Sequence, residues 1–279
     1  MAEAVDAPFD RPDSGFNTLP GWTWVGCYGG YYLQADLLAS FEHGFFTRQW
    51  QGRGPEELAG YLSAGASVHR TRQVHGHTVL PAREASAPLW PDADGLRSDG
   101  GGQSLWVCGA DCTPVLLADP VRGAVAACHA GWRGVASGIL AEAVRGLTAS
   151  GSAVADLLVA LGPAVSGGNY QVNHEVSREV AASLTPLLRS AEGAGAGTSD
   201  LIQELEALRT GGALNSDPEP DKDRLDIRQA ARIQLNLLGI NQERIAICPL
   251  CTVAEPELFH SWRRDGVKAV QWSGIVAQS

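Results

Sequence analysis

Aromatic and small residues alternate along GWTWVGCYGGYYLQADLL, residues 21–38, a period of two that predicts a pair of strands rather than a helix. GHTVL (76–80) and SLWVCGA (104–110) predict short strands, and the stretch between them carries PDADGLRSDGGG, which is turn chemistry throughout. TPVLLADPVRGAVAACH (113–129) predicts two strands joined at Asp119-Pro120, because Pro120 has no N–H to give a ladder. The result is a hairpin that ends at His129.

Downstream the period changes. Ile139, Leu140, Ala143, Val144 and Leu147 fall at helical spacing in VASGILAEAVRGLTASG, with Gly151 as its stop. DLLVALGP predicts a buried strand, and HEVSREVAASLTPLLRS predicts a helix that Pro186 disturbs. AEGAGAGTSD is low in complexity, and residues 190–223 as a whole are the least core-like part of the chain, which predicts an exposed insertion. DIRQAARIQLNLLG predicts an amphipathic helix with Gly239 just past its end; RIAICPLC predicts a strand, and ELFHSWRRDG a strand running into a turn. Strands outnumber helices and neighbours are joined as hairpins. The expected class is therefore α+β, with mixed β-sheets rather than a doubly wound parallel sheet.

At 279 residues and 44% apolar content the chain has enough material for a substantial core, read as a single domain over 21–279 behind a flexible lead of 1–20. The net charge of −10 and pI near 5.1 exclude a general nucleic-acid or anionic-membrane binder, so any phosphate site has to be a local basic pocket. MAEAVDAPFDRPDSG lacks the basic start and apolar run of a signal peptide, and the expected location is the cytoplasm. Six cysteines in a chain this long leave metal or catalytic use open in a reducing compartment.

Three segments each close an apolar run with a residue that binds soft or borderline metals: RQVHG with His75, GADCTP with Cys112 and CHAGWRG with His129. Two imidazoles and a thiolate suit Zn²⁺ and leave a fourth tetrahedral position open, as catalytic zinc sites do. Without a metal, Cys112 as nucleophile and His129 as its base make a Cys-His amide or peptide hydrolase, although such an enzyme has no use for His75 at the sulfur. CPLC spaces Cys248 and Cys251 as a lone C-x-x-C pair, read as structural.

TRQVHGHTV, DADGL, GADCTPVLLADP, HAGWRG, ALGPAVSGGNYQV, LDIRQAARIQLNLLGI and SWRRDG, in this order, resemble the laccase-domain, multicopper-oxidoreductase-like family, also described as YfiH-type purine nucleoside phosphorylases. The resemblance spans about residues 44–272. It implies a sandwich-like core flanked by helices, a site at strand ends, and His75, Cys112 and His129 as zinc ligands. It also implies phosphorolysis of a purine nucleoside (adenosine, inosine or methylthioadenosine), with possible overlap into adenosine deamination. The partners are then a small nucleoside and inorganic phosphate.

Arg48, Gln73, Arg133, Arg263 and Arg264 lie in segments that resemble family motifs. Arg48, Gln73, Arg133 and Arg264 are the expected substrate-binding groups, and Arg48 joins Cys112 and His129 as a catalytic candidate, since guanidinium forks match phosphate oxygens. Asp111 is read either as a support for a metal ligand or as a turn residue; Asp92 and Asp94 lie in a Gly-rich loop that is able to close over a site, with turn formation as the commoner role of aspartate there. Copper is disfavoured: the seven histidines, at 43, 69, 75, 77, 129, 174 and 260, contain one His-x-His pair, at 75 and 77, where a laccase needs several. The length of 190–223 departs from the family pattern and leaves any oligomer contact on that side open.

Overall fold

The computed structural model describes residues 19–27, 30–88, 90–192 and 201–278. The first half runs β1 (Trp22–Cys27), β2 (Gly30–Ala35), β3 (His43–Phe46), α1 (Pro55–Leu62), β4 (Ser67–His69), β5 (Val79–Pro81), β6 (Gly95–Arg97), β7 (Gln103–Gly109), β8 (Thr113–Ala118) and β9 (Val125–Ala130). Next come α2 (Trp132–Ala136), α3 (Ile139–Ala149), β10 (Leu158–Leu161), β11 (Gln171–Asn173), α4 (His174–Ala182), α5 (Thr185–Glu192) and α6 (Leu201–Thr210). The chain closes with β12 (Leu214–Ser216), β13 (Lys222–Leu225), α7 (Ile227–Leu237), β14 (Ile245–Ile247), α8 (Trp262–Asp265) and β15 (Gln271–Val276).

Two mixed six-stranded sheets dominate, in the orders β1-β2-β3-β15-β7-β4 and β14-β10-β8-β9-β6-β5, with a small sheet β11-β13-β12 beside them. The period of two in the sequence explains how they stack. On β8, Leu116 and Ala118 face the first sheet's Leu33, Phe45, Leu105 and Val107, while Val115 and Leu117 face the helices. On β7, Leu105 and Val107 point into the sandwich and Trp106 points out to Trp50 and Leu58, under α1. The helix side of the second sheet is covered by Ile139, Leu140 and Val144 of α3 and by Ala231 and Leu235 of α7. An α+β single domain with a sandwich core and flanking helices is thus what the chain forms.

The predicted hairpin is present, β8 and β9 pairing from Thr113↔Ala130 to Ala118↔Val125. The predicted pair at the start of the chain is β1 and β2, antiparallel from Trp22↔Ala35 to Cys27↔Gly30. Helix α7 has the predicted cap, Gly239 at φ 95°, and at its other end Asp226 accepts from the N–H groups of Arg228 and Gln229.

The helical run is interrupted beside Pro186, as predicted: α4 ends at Ala182 and α5 begins at Thr185, with Pro186 in the first turn of the second helix, where its missing N–H has no partner to lose. Two expectations are corrected. ELFHSWRRDG forms no strand: Ser261 accepts from the N–H of Arg264 and Gly266 takes φ 63°, so the segment is the capped turn α8. Residues 193–200 of the expected insertion lie outside the described residues, as do 1–18 of the expected lead. The described remainder, however, packs: Leu208, Ala213 and Leu214 are buried in the helix-side core, and β12 pairs with β13. Its leucines cover the core, and its buried acids are paired, Glu204 with Thr185 and Asp223 with Ser177, so low average hydrophobicity does not mark an excursion.

Candidate metal centre

Two connections carry the chain from the first sheet to the second, β4 to β5 and β7 to β8, and they hold His75 and Cys112. The register of β8 with β9 sets Pro114 opposite His129, which brings His129 beside the turn of Cys112. The ligand atoms of His75, Cys112 and His129 all lie within 4.8 Å of one another, and the two imidazoles meet edge to face with centroids 4.8 Å apart. His75 departs from the strand-end reading: it lies in the loop between β4 and β5, with φ 60°. Such a left-handed backbone in a residue other than glycine costs on the order of 1–3 kcal/mol and persists where its surroundings hold it.

Asp94 is what holds it. The register of β6 with β9, Gly95↔Cys128, sets Asp94 beside His129, whose N–H donates to the Asp94 carbonyl at 2.7 Å. The carboxylate is fully buried. Its Oδ2 accepts from the N–H of Val74 (3.1 Å) and Gly76 (2.7 Å), and its Oδ1 from the N–H of His75 and from His129 Nδ1, both at 2.9 Å. With Nδ1 as the donor, His129 keeps the lone pair of Nε2 for the cluster. Burial opposes the charge on Asp94, but these hydrogen bonds outweigh it and hold its pKa below the usual carboxylate range.

The electrostatics of the triad follow from the same contacts. Burial alone would push the Cys112 thiol up; hydrogen bonds from His129 and His75 outweigh it and bring the pKa down to about 6. Burial would lower His129, yet Asp94 and Cys112 raise it to about 9. One glycine makes room for the sulfur: a Cβ on Gly131 would stand 2.7 Å from Cys112 Sγ and 3.4 Å from the His75 ring. That contact explains the small residue between His129 and Trp132 in HAGWRG.

Asp111, also left-handed at φ 94°, does not touch a ligand atom's partner; it clamps the turn from outside. Its Oδ1 accepts from Thr252 Oγ1 (2.6 Å) and its Oδ2 from the N–H of Arg263 (2.7 Å), tying the Cys112 turn to α8. Arg263 stacks over the Tyr170 ring, 4.6 Å from its centroid, and donates to the Gln171 carbonyl. Burial, together with the nearby Cys112, pushes the Tyr170 hydroxyl up to about 12.

Among the expected substrate groups, Gln73 exchanges two hydrogen bonds with the backbone of Cys108 (2.7 and 2.8 Å), which fixes the His75 loop to β7. Arg264 donates to the carbonyls of Thr252, Val253 and Phe259 and pairs with Asp265, so its fork holds chain rather than facing open space. Arg133 is exposed on α2, stacked over Trp132 at 4.4 Å. Arg48 donates through Nη1 to the Pro256 carbonyl at 2.6 Å and lines a cavity with His260. Asp92 pairs with Arg72, and His77 is exposed and outside the cluster. Cys248 is buried in the sandwich core, its thiol pushed up to about 12 by burial. Cys251 accepts from Ser166 and Asn169. The role of Asp94 is the part that sequence reasoning missed: three of its four contacts go to backbone N–H groups, which leave no side-chain signature, and DADGL was the one available hint.

The donor set, two imidazoles and a lowered thiol behind a buried carboxylate, is able to bind a metal ion. Residues 55–278 match the family described as multi-copper polyphenol oxidoreductase laccase. A purine nucleoside phosphorylase of Synechocystis is 42% identical over 92% of this chain and 97% of its own length. One from Mycobacterium bovis is 37% identical over 72% of this chain and 68% of its own. The crystal structure of YlmD from Geobacillus stearothermophilus superposes with a TM-score of 0.72 at 27% identity, covering 92% of this chain and 99% of that one.

Proposed function

Because the chain belongs to the family described as multi-copper polyphenol oxidoreductase laccase, and its relatives carry the name purine nucleoside phosphorylase, we propose that it is a zinc-dependent purine nucleoside phosphorylase. The observation that carries this reading is the convergence of His75, Cys112 and His129 under Asp94. Tetrahedral zinc sets its ligand atoms roughly 3.5 Å apart, so donors already within 4.8 Å of one another need little movement to close on an ion. Thiolate with imidazole favours zinc, and a single His-x-His pair, of which His77 stands outside the cluster, is a poor basis for several coppers. Bound there, zinc supplies a Lewis acid beside the substrate and an acidified water.

The residues of the chain supply the rest. Asp94 holds both histidines in place and fixes the tautomer of His129. Gln73 and Arg264 position the loops, while Arg48 and Arg133 have donors left for substrate oxygens. In phosphorolysis a phosphate oxygen forms the bond to the anomeric carbon as the bond from that carbon to the purine nitrogen breaks. The electron pair leaves on the purine, which takes up a proton, and the products are free base and ribose 1-phosphate. Alignment and charge stabilisation are the whole task. The same reading includes adenosine deamination, in which water replaces the 6-amino group and ammonia leaves. A second reading, an amide hydrolase with Cys112 as nucleophile and His129 as base, draws support from the lowered thiol pKa. His75 at the same sulfur favours the metal.

The test is metal analysis together with product analysis. The purified protein should hold about one zinc per chain and release purine base from adenosine or inosine only when phosphate is present. His75→Ala and Cys112→Ala should lose both. Stoichiometric zinc in both variants overturns the ligand assignment, and strict independence from phosphate, with ammonia or an amine as the only product, moves the enzyme to deaminase or amidase.

A further inference from the structure

Apart from the triad, the chain sets another imidazole against a hydroxyl. His69 closes the edge strand β4, where its parallel register with Leu105 turns the ring toward the sandwich and leaves it 5% exposed. After β5 the short helical turn Ala82–Glu84 leads into Ala85, and Ala82 and Ala85 are buried in that same core, which brings the next residue, Ser86, to the ring. Ser86 is exposed, and its Oγ lies 3.2 Å from His69 Nδ1. At the ring's other nitrogen, Nε2 lies 2.8 Å from Ser67 Oγ, and that hydroxyl has the Gly102 carbonyl as its own acceptor at 3.5 Å. With a neutral ring, one placement of protons makes all three contacts. Ser67 donates to Gly102 and accepts from Nε2–H, so Nδ1 carries the lone pair and accepts from Ser86, whose hydroxyl has no other acceptor among the described residues.

We propose that Ser86 and His69 form a second, metal-independent site in which Ser86 is a nucleophile toward activated esters of short carboxylic acids. A nucleophilic hydroxyl, a base within hydrogen-bonding reach and a third group orienting the base are the parts such chemistry requires. Here the third part is the Ser67 hydroxyl in place of a carboxylate. The N–H groups of Ser86 and Ala87 have no acceptor among the described residues, and a nucleophile's own N–H together with a neighbouring one is a common oxyanion hole in acyl transfer. In the reaction Ser86 Oγ bonds to the ester carbonyl carbon as its proton passes to His69 Nδ1. The tetrahedral intermediate then collapses: the bond from that carbon to the leaving oxygen breaks, and the oxygen departs with the electron pair and takes the proton. Water cleaves the acyl-serine by the same route, releasing the acid and restoring Ser86. Ser67, which touches only the base, is a positioning residue. A hydroxyl does not balance an imidazolium charge as a carboxylate does, so the site is confined to esters with good leaving groups. Ser86, Ala87 and Pro88 are all exposed, which places the reaction at the surface and suits a short acyl group.

The test treats the full chain with an alkyl fluorophosphonate and with p-nitrophenyl acetate. The fluorophosphonate should attach at Ser86, located by peptide mass spectrometry, and its attachment should stop the release of p-nitrophenol. Ser86→Ala should lose both signals. His69→Gln should slow attachment on the order of 100-fold, and Ser67→Ala about 10-fold. Ser67→Thr, which keeps the hydroxyl, should restore the rate, whereas a part in packing alone would leave Ser67→Ala as fast as the wild type. Cys112→Ala, which removes the other nucleophile near an imidazole, should keep both signals. A label absent from Ser86 in the wild type, or equal attachment rates in the wild type and His69→Gln, overturns the proposal. Loss of ester cleavage in Cys112→Ala overturns it as well, by assigning that activity to the metal centre.

Discussion

Cys108 and Cys112 are four residues apart and both are enclosed, yet they are opposite kinds of sulfur. On β7, Cys108 is surrounded by strand and burial pushes its thiol up to about 12; at the turn, Cys112 is brought down to about 6. Cys128, one residue before His129, follows Cys108 and is also pushed up to about 12. Burial therefore decides nothing by itself. What separates the turn from the strand interior is a pair of imidazoles at hydrogen-bonding reach, one of them raised by Asp94.

The largest effect should come from making Cys112 resemble its neighbour. In metal-free protein, alkylation of Cys112 should rise with pH through about 6, because thiolate forms as pH passes the lowered pKa, and then level off by pH 8. His129→Ala should raise that midpoint toward the ordinary thiol value and slow labelling at pH 7 by on the order of 10–100-fold. Mass-spectrometric mapping of the label reports it, and an unshifted midpoint would mean that His129 is not the cause. Next is Asp94→Asn, which keeps the shape but loses the charge on His129; zinc affinity should fall about 10–100-fold, measured by competition with a chelating dye. The smallest effect belongs to the other cysteine pair. Cys251→Ser should leave zinc at about one per chain and shift Tm by only a few degrees, roughly the consequence of 1 kcal/mol, because its sulfur accepts from Ser166 and Asn169 far along the chain from the triad. Zinc loss in that variant would join the two regions that the comparison separates.

The sequence made different parts of this visible for different reasons. Strand alternation in β8 and β9 and the Asp226-to-Gly239 frame of α7 are written in local residues, and both are where the pattern puts them. His75, Cys112 and His129 stood out because their side chains are chemically distinctive, even though the backbone of His75 is not at a strand end. Asp94 was read as a turn residue because its partners are backbone N–H groups some twenty positions upstream in the chain and one distant ring. Arg264 looked like a substrate group because charge is visible in a sequence while the carbonyls of Thr252 and Phe259 that occupy it are not. His69 attracted no attention for the same reason: a ring held between two hydroxyls is a property of the fold alone.

The left-handed backbone at His75 limits what can replace it. Asparagine and aspartate tolerate that conformation, whereas branched side chains do not. An oxygen donor can thus be introduced at position 75 with little penalty to the loop, hardening the ligand set from nitrogen toward oxygen. A single codon change at 75 is therefore enough to alter the hardness of the donor set, while the side chains at 112 and 129 stay as they are.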